Sequence, residues 1–264
     1  MENQRGRLRF LALTERKPEQ PLFLFLPGMD GSSLSLKQQQ PYLEADFELR
    51  CMVMPPDDQT DWFGLLTALG DFLEAERRAD ARREIYLCGE SFGGCFAYQG
   101  GLRYPNLIDR LVLINPATCF SQQAWRNLSP SVVRWLSPVL YQLGANGLLP
   151  FLLAVQRVAL NNRRALLAAT QAVTPASAAW RLGLLRDFRD DIALAKRLRR
   201  PVLLVASQRD RLLPSVSEVQ RLSQLFPMVK TLVLEHSGHA CLLETAVSLG
   251  KIFWETGFMP GAGD

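Results

Sequence analysis

Short apolar runs separated by polar, turn-rich stretches dominate the chain. Pro21-Leu-Phe-Leu-Phe-Leu26 is continuous and of strand length, the pattern of a strand buried on both faces. It stops at Pro27-Gly28-Met29-Asp30-Gly31-Ser32-Ser33, whose composition marks a loop. Comparable runs predict strands at 47–54, 85–88, 110–114, 201–206 and 231–234, and weak alternation over 7–13 adds an edge strand or hairpin arm. Apolar residues at helical spacing predict a helix over about 62–78, with Asp61 as its N-cap. Further helices are expected after residue 91 to about 103, at about 215–225 and at about 240–255.

Strands alternating with helices imply the α/β class: a mostly parallel sheet with helices on both faces. Active sites in such sheets lie beyond the carboxyl ends of the strands. Residues 116–200 interrupt the alternation and read as several helices rich in Leu, Ala, Trp and Arg. The expected organisation is an α/β core of 1–115 and 201–264, with 116–200 inserted as a helical cap, or lid. That segment holds eleven Arg and one Lys against three Asp and no Glu, a net of +9, which leaves −5 for the rest. No internal repeat or low-complexity segment is visible.

Composition narrows the picture further. With 264 residues and 48% hydrophobic content, the chain can bury one large core, and 21% charged residues argue against disorder. A net charge of +4 is too mild to imply nucleic acid, and no nucleic-acid-binding motif appears. The apolar stretch near the N-terminus is too short for a signal-peptide core, and no run reaches the roughly 18 residues of a spanning helix. The longest, 148–160, is broken by Gln156 and Arg157. A cytoplasmic protein is expected, with peripheral membrane contact open through cap residues 135–153. Five cysteines, odd in number and without a CxxC pair, suggest buried reduced thiols and give no zinc pattern. Oligomeric state is open.

The candidate chemistry starts at Gly89-Glu90-Ser91-Phe92-Gly93, a G-x-S-x-G turn between an apolar strand and a helix. A serine at such a turn has strained backbone angles, and the flanking glycines remove Cβ atoms that would clash. Ser91 is the expected nucleophile. Serine needs a base, and the chain has two histidines, His236 and His239, both just after the last expected strand. His239, beyond Gly238, is the expected base, and His236 is assigned a structural or rim role. Asp210, the first carboxylate after the 201–206 strand, is the expected acid that orients the imidazole. The alternative acid position, after the 110–114 strand, holds Asn115. Two backbone N–H groups should form the oxyanion hole: that of Phe92 and, from the loop after the first long strand, that of Met29.

Phe25-Leu-Pro-Gly-Met-Asp-Gly31, Cys88-Gly-Glu-Ser-Phe-Gly-Gly-Cys95, Asn115-Pro-Ala117 and Ser237-Gly-His239 resemble the hydrolase-like domain of plastid phytyl ester synthase and diacylglycerol acyltransferase-like proteins. The general α/β-hydrolase likeness covers nearly the whole chain. The closer one is strongest over 22–119. The resemblance implies the same triad, Ser91, Asp210 and His239, and lipid-like substrates. In those proteins an acyltransferase-like domain follows. This chain, ending at Asp264, is expected to lack it, which favours hydrolysis over transfer.

The expected function is a serine hydrolase of the carboxylesterase, lipase or thioesterase kind, cleaving a small-molecule acyl ester or thioester through an acyl-enzyme without metal or organic cofactor. Three alternatives stay open: an acyltransferase forming fatty acyl or phytyl esters, a carbon–carbon bond hydrolase or lyase on the same fold, and a non-catalytic ligand-binding protein. Product analysis with an added alcohol separates the first. Inertness toward esters with a reactive Ser91 marks the second, and an unreactive Ser91 the third.

Overall fold

A computed structural model describes residues 8–122 and 154–261. Seven strands form one sheet: β1 (Arg9–Ala12), β2 (Leu22–Leu26), β3 (Glu48–Val53), β4 (Ile85–Glu90), β5 (Arg110–Ile114), β6 (Val202–Ser207) and β7 (Val229–Leu234). Their spatial order is β1-β3-β2-β4-β5-β6-β7. Only β1 is antiparallel, and it covers the outer edge of β3. The four central strands β2, β4, β5 and β6 are buried throughout, so their runs need no polar face.

Alternation decides which layer each side chain joins. Leu22, Leu24, Leu26, Ile85, Leu87, Leu111, Leu113, Val202 and Leu204 point to one core. There they meet α2 (Trp62–Ala79), α3 (Phe92–Arg103) and α7 (Ser215–Ser223). Phe23, Phe25, Tyr86, Cys88, Val112, Ile114, Leu203 and Val205 point to the other, closed by α1 (Leu34–Leu43) and α8 (Leu249–Glu255). In that second layer Phe47 meets Tyr86 edge-on with ring centroids 4.9 Å apart. The α2 start follows the expected cap: Asp61 accepts from the Gly64 N–H at 2.8 Å.

Between β5 and β6 the described part of the insertion carries α4 (Leu160–Ala172), α5 (Pro175–Asp187) and α6 (Ile192–Ala195). Thr174 caps α5, its hydroxyl accepting from the Ser177 N–H at 3.1 Å. The stretch 135–153 singled out for membrane contact lies outside the described residues, as do residues 148–153 of the 148–160 apolar run. Among the described residues, no helix is long and apolar enough to cross a membrane. All five cysteines are buried and free.

Two features depart from the sequence reading. The helix expected at 240–255 is broken into a 3-10 turn, Cys241–Leu243, and α8. Side chains take the hydrogen bonds that a continuous helix would use. Gln39 donates to the Leu242 and Val247 carbonyls at 2.8 and 3.0 Å and accepts from the Leu249 N–H at 2.8 Å. The second departure is α1 itself, which the sequence did not announce. Its polar run and internal Pro41 hide it, and its buried face is only Leu36, Gln39 and Leu43.

The sheet and α3 approach so closely that glycine is required at the crossing. A Cβ on Gly93 would stand 2.0 Å from the Leu26 carbonyl oxygen. Gly93→Ala should lower the unfolding free energy by more than ~3 kcal/mol in urea titrations, since backbone has to move. Gly183→Ala, within α5 and facing open space, should instead raise it by about 0.5–1 kcal/mol.

Candidate active site

Each sequence-chosen residue lies at a carboxyl end of the sheet. Ser91 follows β4, Asp210 follows β6, His239 follows β7 and Met29 follows β2. Ser91 has φ 58° and ψ −116°, a left-handed conformation unusual for a residue with a side chain. Four backbone contacts hold it there. Its N–H donates to the Ile114 carbonyl at 3.0 Å, and its carbonyl accepts from the Gly94, Cys95 and Ala117 N–H groups at 2.9, 3.3 and 3.1 Å.

A relay of hydrogen bonds joins the three side chains. His239 Nδ1 lies 2.7 Å from Asp210 Oδ2, and His239 Nε2 lies 2.8 Å from Ser91 Oγ. An ionised carboxylate only accepts, so Nδ1 carries the proton and Nε2 presents its lone pair to the Ser91 hydroxyl. Asp210 is oriented in turn. Its Oδ1 accepts from the Leu212 and Leu213 N–H groups at 2.8 and 2.9 Å, and Oδ2 also accepts from the Ser215 hydroxyl.

Electrostatics match this geometry. Burial pushes the Asp210 carboxyl up, but the His239 ring and the Ser215 and Leu213 donors outweigh it and leave it below its ordinary value. Burial pushes His239 down, and the Asp210 charge and hydrogen bond, with Glu90 beyond, bring it above 6.5. His236 is exposed and pairs with Arg209 at 3.2 Å, away from the relay.

The two expected oxyanion donors flank the serine. Phe92 is the first residue of α3, so its N–H has no acceptor one turn back in the helix. Its ring is buried and stacks on Trp62 at 5.2 Å, leaving only the backbone toward the strand ends. The 27–31 loop passes beside Ser91: a Cβ on Gly28 would lie 3.8 Å from the Ser91 Cβ. Asp30 turns back on its own loop, accepting from the Ser32 hydroxyl and, at 3.2 Å, from the Ser32 N–H.

Three supporting residues were not singled out as such from sequence. Asn115, at φ 41° and fully buried, donates to the His239 carbonyl at 2.6 Å and to the Ser207 hydroxyl at 2.9 Å. Its oxygen accepts from the Ser207 N–H at 2.7 Å. The residue at the vacant acid position thus ties β5, β6 and the histidine loop together. Glu244 accepts from the Gly238 N–H at 2.8 Å and pairs with Arg157 at 2.7 Å, so it fixes the same loop from the other side. Glu90, buried directly before Ser91, accepts from the Ser35 hydroxyl at 2.7 Å. An Asn before a proline at a strand end is the one such signal the sequence carries, because Asn tolerates positive φ.

Burial raises Glu90 to about 7, against the opposing effects of Ser35 and His239. Its folded value thus exceeds its ordinary 4.5. The folded state keeps this proton while the unfolded chain loses it, so stability falls as pH rises from 4.5 toward 7 and then levels off. Glu90→Gln should remove that loss and gain about 3 kcal/mol on wild type between pH 4.5 and pH 8 in denaturant titrations. The His239 ring should titrate above 6.5 by NMR, and Asp210→Asn should move that midpoint down by at least ~1 unit.

Comparison with known proteins agrees with this architecture. The family model for serine aminopeptidase, S33, matches residues 58–246. Phytyl ester synthase 1, chloroplastic, of Arabidopsis thaliana is 31% identical over 90% of this chain, which spans 37% of that protein's length. A thermophilic esterase from Thermogutta terrifontis superposes with a TM-score of 0.75 at 17% identity, covering 95% of this chain and 92% of the other. The enol-lactonase from Burkholderia xenovorans LB400 gives 0.74 at 16% identity, covering 96% and 97%. The chain has the α/β-hydrolase fold and belongs to the serine aminopeptidase S33 family of hydrolases.

Proposed function

We propose that this chain is a serine hydrolase that cleaves a lipid-like acyl ester or thioester through an acyl-enzyme. The observation that carries the reading is the relay Ser91–His239–Asp210 at the strand ends, with both heavy-atom distances below 3 Å. As the Ser91 oxygen attacks the acyl carbonyl, its proton passes to His239 Nε2. The Met29 and Phe92 N–H groups receive the tetrahedral oxyanion, and Asp210 stabilises the imidazolium. Collapse breaks the bond to the alcohol or thiol, which leaves with the proton from Nε2. Water then repeats the cycle on the acyl-enzyme and frees the acid. No step needs a metal or an organic cofactor.

Residues 116–200 act in this reading as a cap over the strand ends. Val158 and Leu166 of the insertion pack with Leu243, Leu34 and Ala240, the neighbour of His239. That supports an apolar wall beside the base, suited to an acyl chain. The Arabidopsis relative's name, phytyl ester synthase, supports acyl esters as the substrate class and favours a second reading, transfer of the acyl group to an alcohol. An intracellular setting belongs to the same proposal, supported by five buried free thiols.

Hydrolysis of p-nitrophenyl esters from two to sixteen carbons tests the proposal. Wild type should turn over with an optimum at medium or long chains, and Ser91→Ala should lose at least ~10³-fold in kcat. Activity that survives Ser91→Ala, or none at any length with esters or thioesters, sinks it. Adding a long-chain alcohol separates the two readings, because transfer yields a new ester and hydrolysis only free acid.

A further inference from the structure

Arg181 belongs to α5 in the insertion, yet its guanidinium reaches the loop beside the nucleophile. Nη1 donates to the Met29 carbonyl at 2.6 Å, and Nη2 donates to the Pro55 carbonyl at 2.9 Å. The residue is 1% exposed. One charged side chain therefore joins the insertion, the turn after β2 and the segment after β3.

The turn gives this contact its meaning. The Gly28 carbonyl accepts from the Gly31 N–H at 3.0 Å, closing a four-residue turn around Met29 and Asp30. In a trans peptide the N–H points opposite the C=O, so anchoring the Gly28 oxygen also sets the direction of the Met29 N–H. The following carbonyl, that of Met29, is the one Arg181 holds. Both peptide units flanking Met29 are thus fixed by their oxygens. Gly31, at φ 67°, completes the fit: a Cβ there would meet the Met54 carbonyl oxygen at 2.9 Å and Arg181 Nη1 at 3.2 Å. The Met54 N–H, just past β3, donates to the Gly31 carbonyl at 2.9 Å and pins the far end of the turn.

The geometry points to Arg181 as a positioning residue that aims the Met29 N–H at the oxyanion by gripping the turn that carries it. The inference rests on the ester-cleavage reading. A buried guanidinium is expensive to desolvate, and an apolar side chain of similar length would fill the space at lower cost. What the apolar chain lacks is the planar fork that grips two carbonyls at once.

A fluorophosphonate tests this without knowledge of the substrate. Ser91 Oγ bonds to phosphorus, fluoride leaves, the serine proton passes to His239, and the phosphoryl oxygen occupies the oxyanion site. Labelling rates are compared across pH for wild type, Arg181→Met, Arg181→Lys and Trp180→Phe. The last removes, from the same helix as Arg181, the hydrogen bond of Trp180 Nε1 to the Thr60 carbonyl, and so loosens the insertion without touching the turn. Arg181→Met should label about 30-fold more slowly and Arg181→Lys about 5-fold more slowly, with unchanged pH midpoints. Trp180→Phe should stay within about twofold of wild type, because it leaves the oxyanion donors in place. The Lys variant decides the matter if the Met variant fails to fold. Equal rates in wild type and the Arg181 variants overturn the inference. So does equal slowing by Trp180→Phe, which means general docking, or a shifted midpoint, which means a disturbed triad. A wild type that does not label at all overturns the ester-cleavage reading, and this inference with it.

Discussion

The backbone of Ser91 is the constraint around which the rest is arranged. A non-glycine residue at positive φ costs on the order of 1–3 kcal/mol and persists only where its surroundings leave no alternative. Here the alternatives are closed by contact. Gly89 and Gly93 are so near that a Cβ on Gly89 would fall 2.0 Å from the Gly93 carbonyl. The N–H of Ser91 is spent on β5, which makes the β4–β5 register a condition of the serine's posture. The same strand then ends in Asn115, the other non-glycine residue at positive φ among those described. Two strained residues on neighbouring strands thus present two loops at one end of the sheet.

The polar residues around the site divide the labour by loop. Asn115 and Glu244 hold the histidine loop by its backbone, and Ser215 with two amides holds the aspartate. Arg181 and Gly31 hold the loop that carries Met29. Each brace is buried or half-buried, where a hydrogen bond lost is costly and the geometry is correspondingly firm.

Much of this was legible in the sequence, for a definite reason. Strands buried on both faces write themselves as apolar runs, and the order Ser91, Asp210, His239 follows from where each lies after its strand. The expected backbone donors, Met29 and Phe92, rest on position alone, since an amide leaves no mark in the side chain. What the sequence hid depends on contacts between distant segments. α1 has too few apolar residues to show a period, and its key residue, Gln39, acts on positions more than two hundred residues away. The 240–255 stretch has helical spacing but is cut by that same side chain. Asn115 was noticed only as a missing acid, and Arg181 as one basic residue among many.

The strand order also sets when the chain acquires its chemistry. Ser91 emerges in the first half of the sequence, but its partner His239 arrives 148 residues later. β6 and β7 complete one side of the sheet, and the histidine loop hangs from β7. A chain folding from its N-terminus as it is synthesised builds the elbow early and completes the relay only when the last strand docks. A chain cut short before residue 239 keeps a bent serine without the imidazole that meets its hydroxyl.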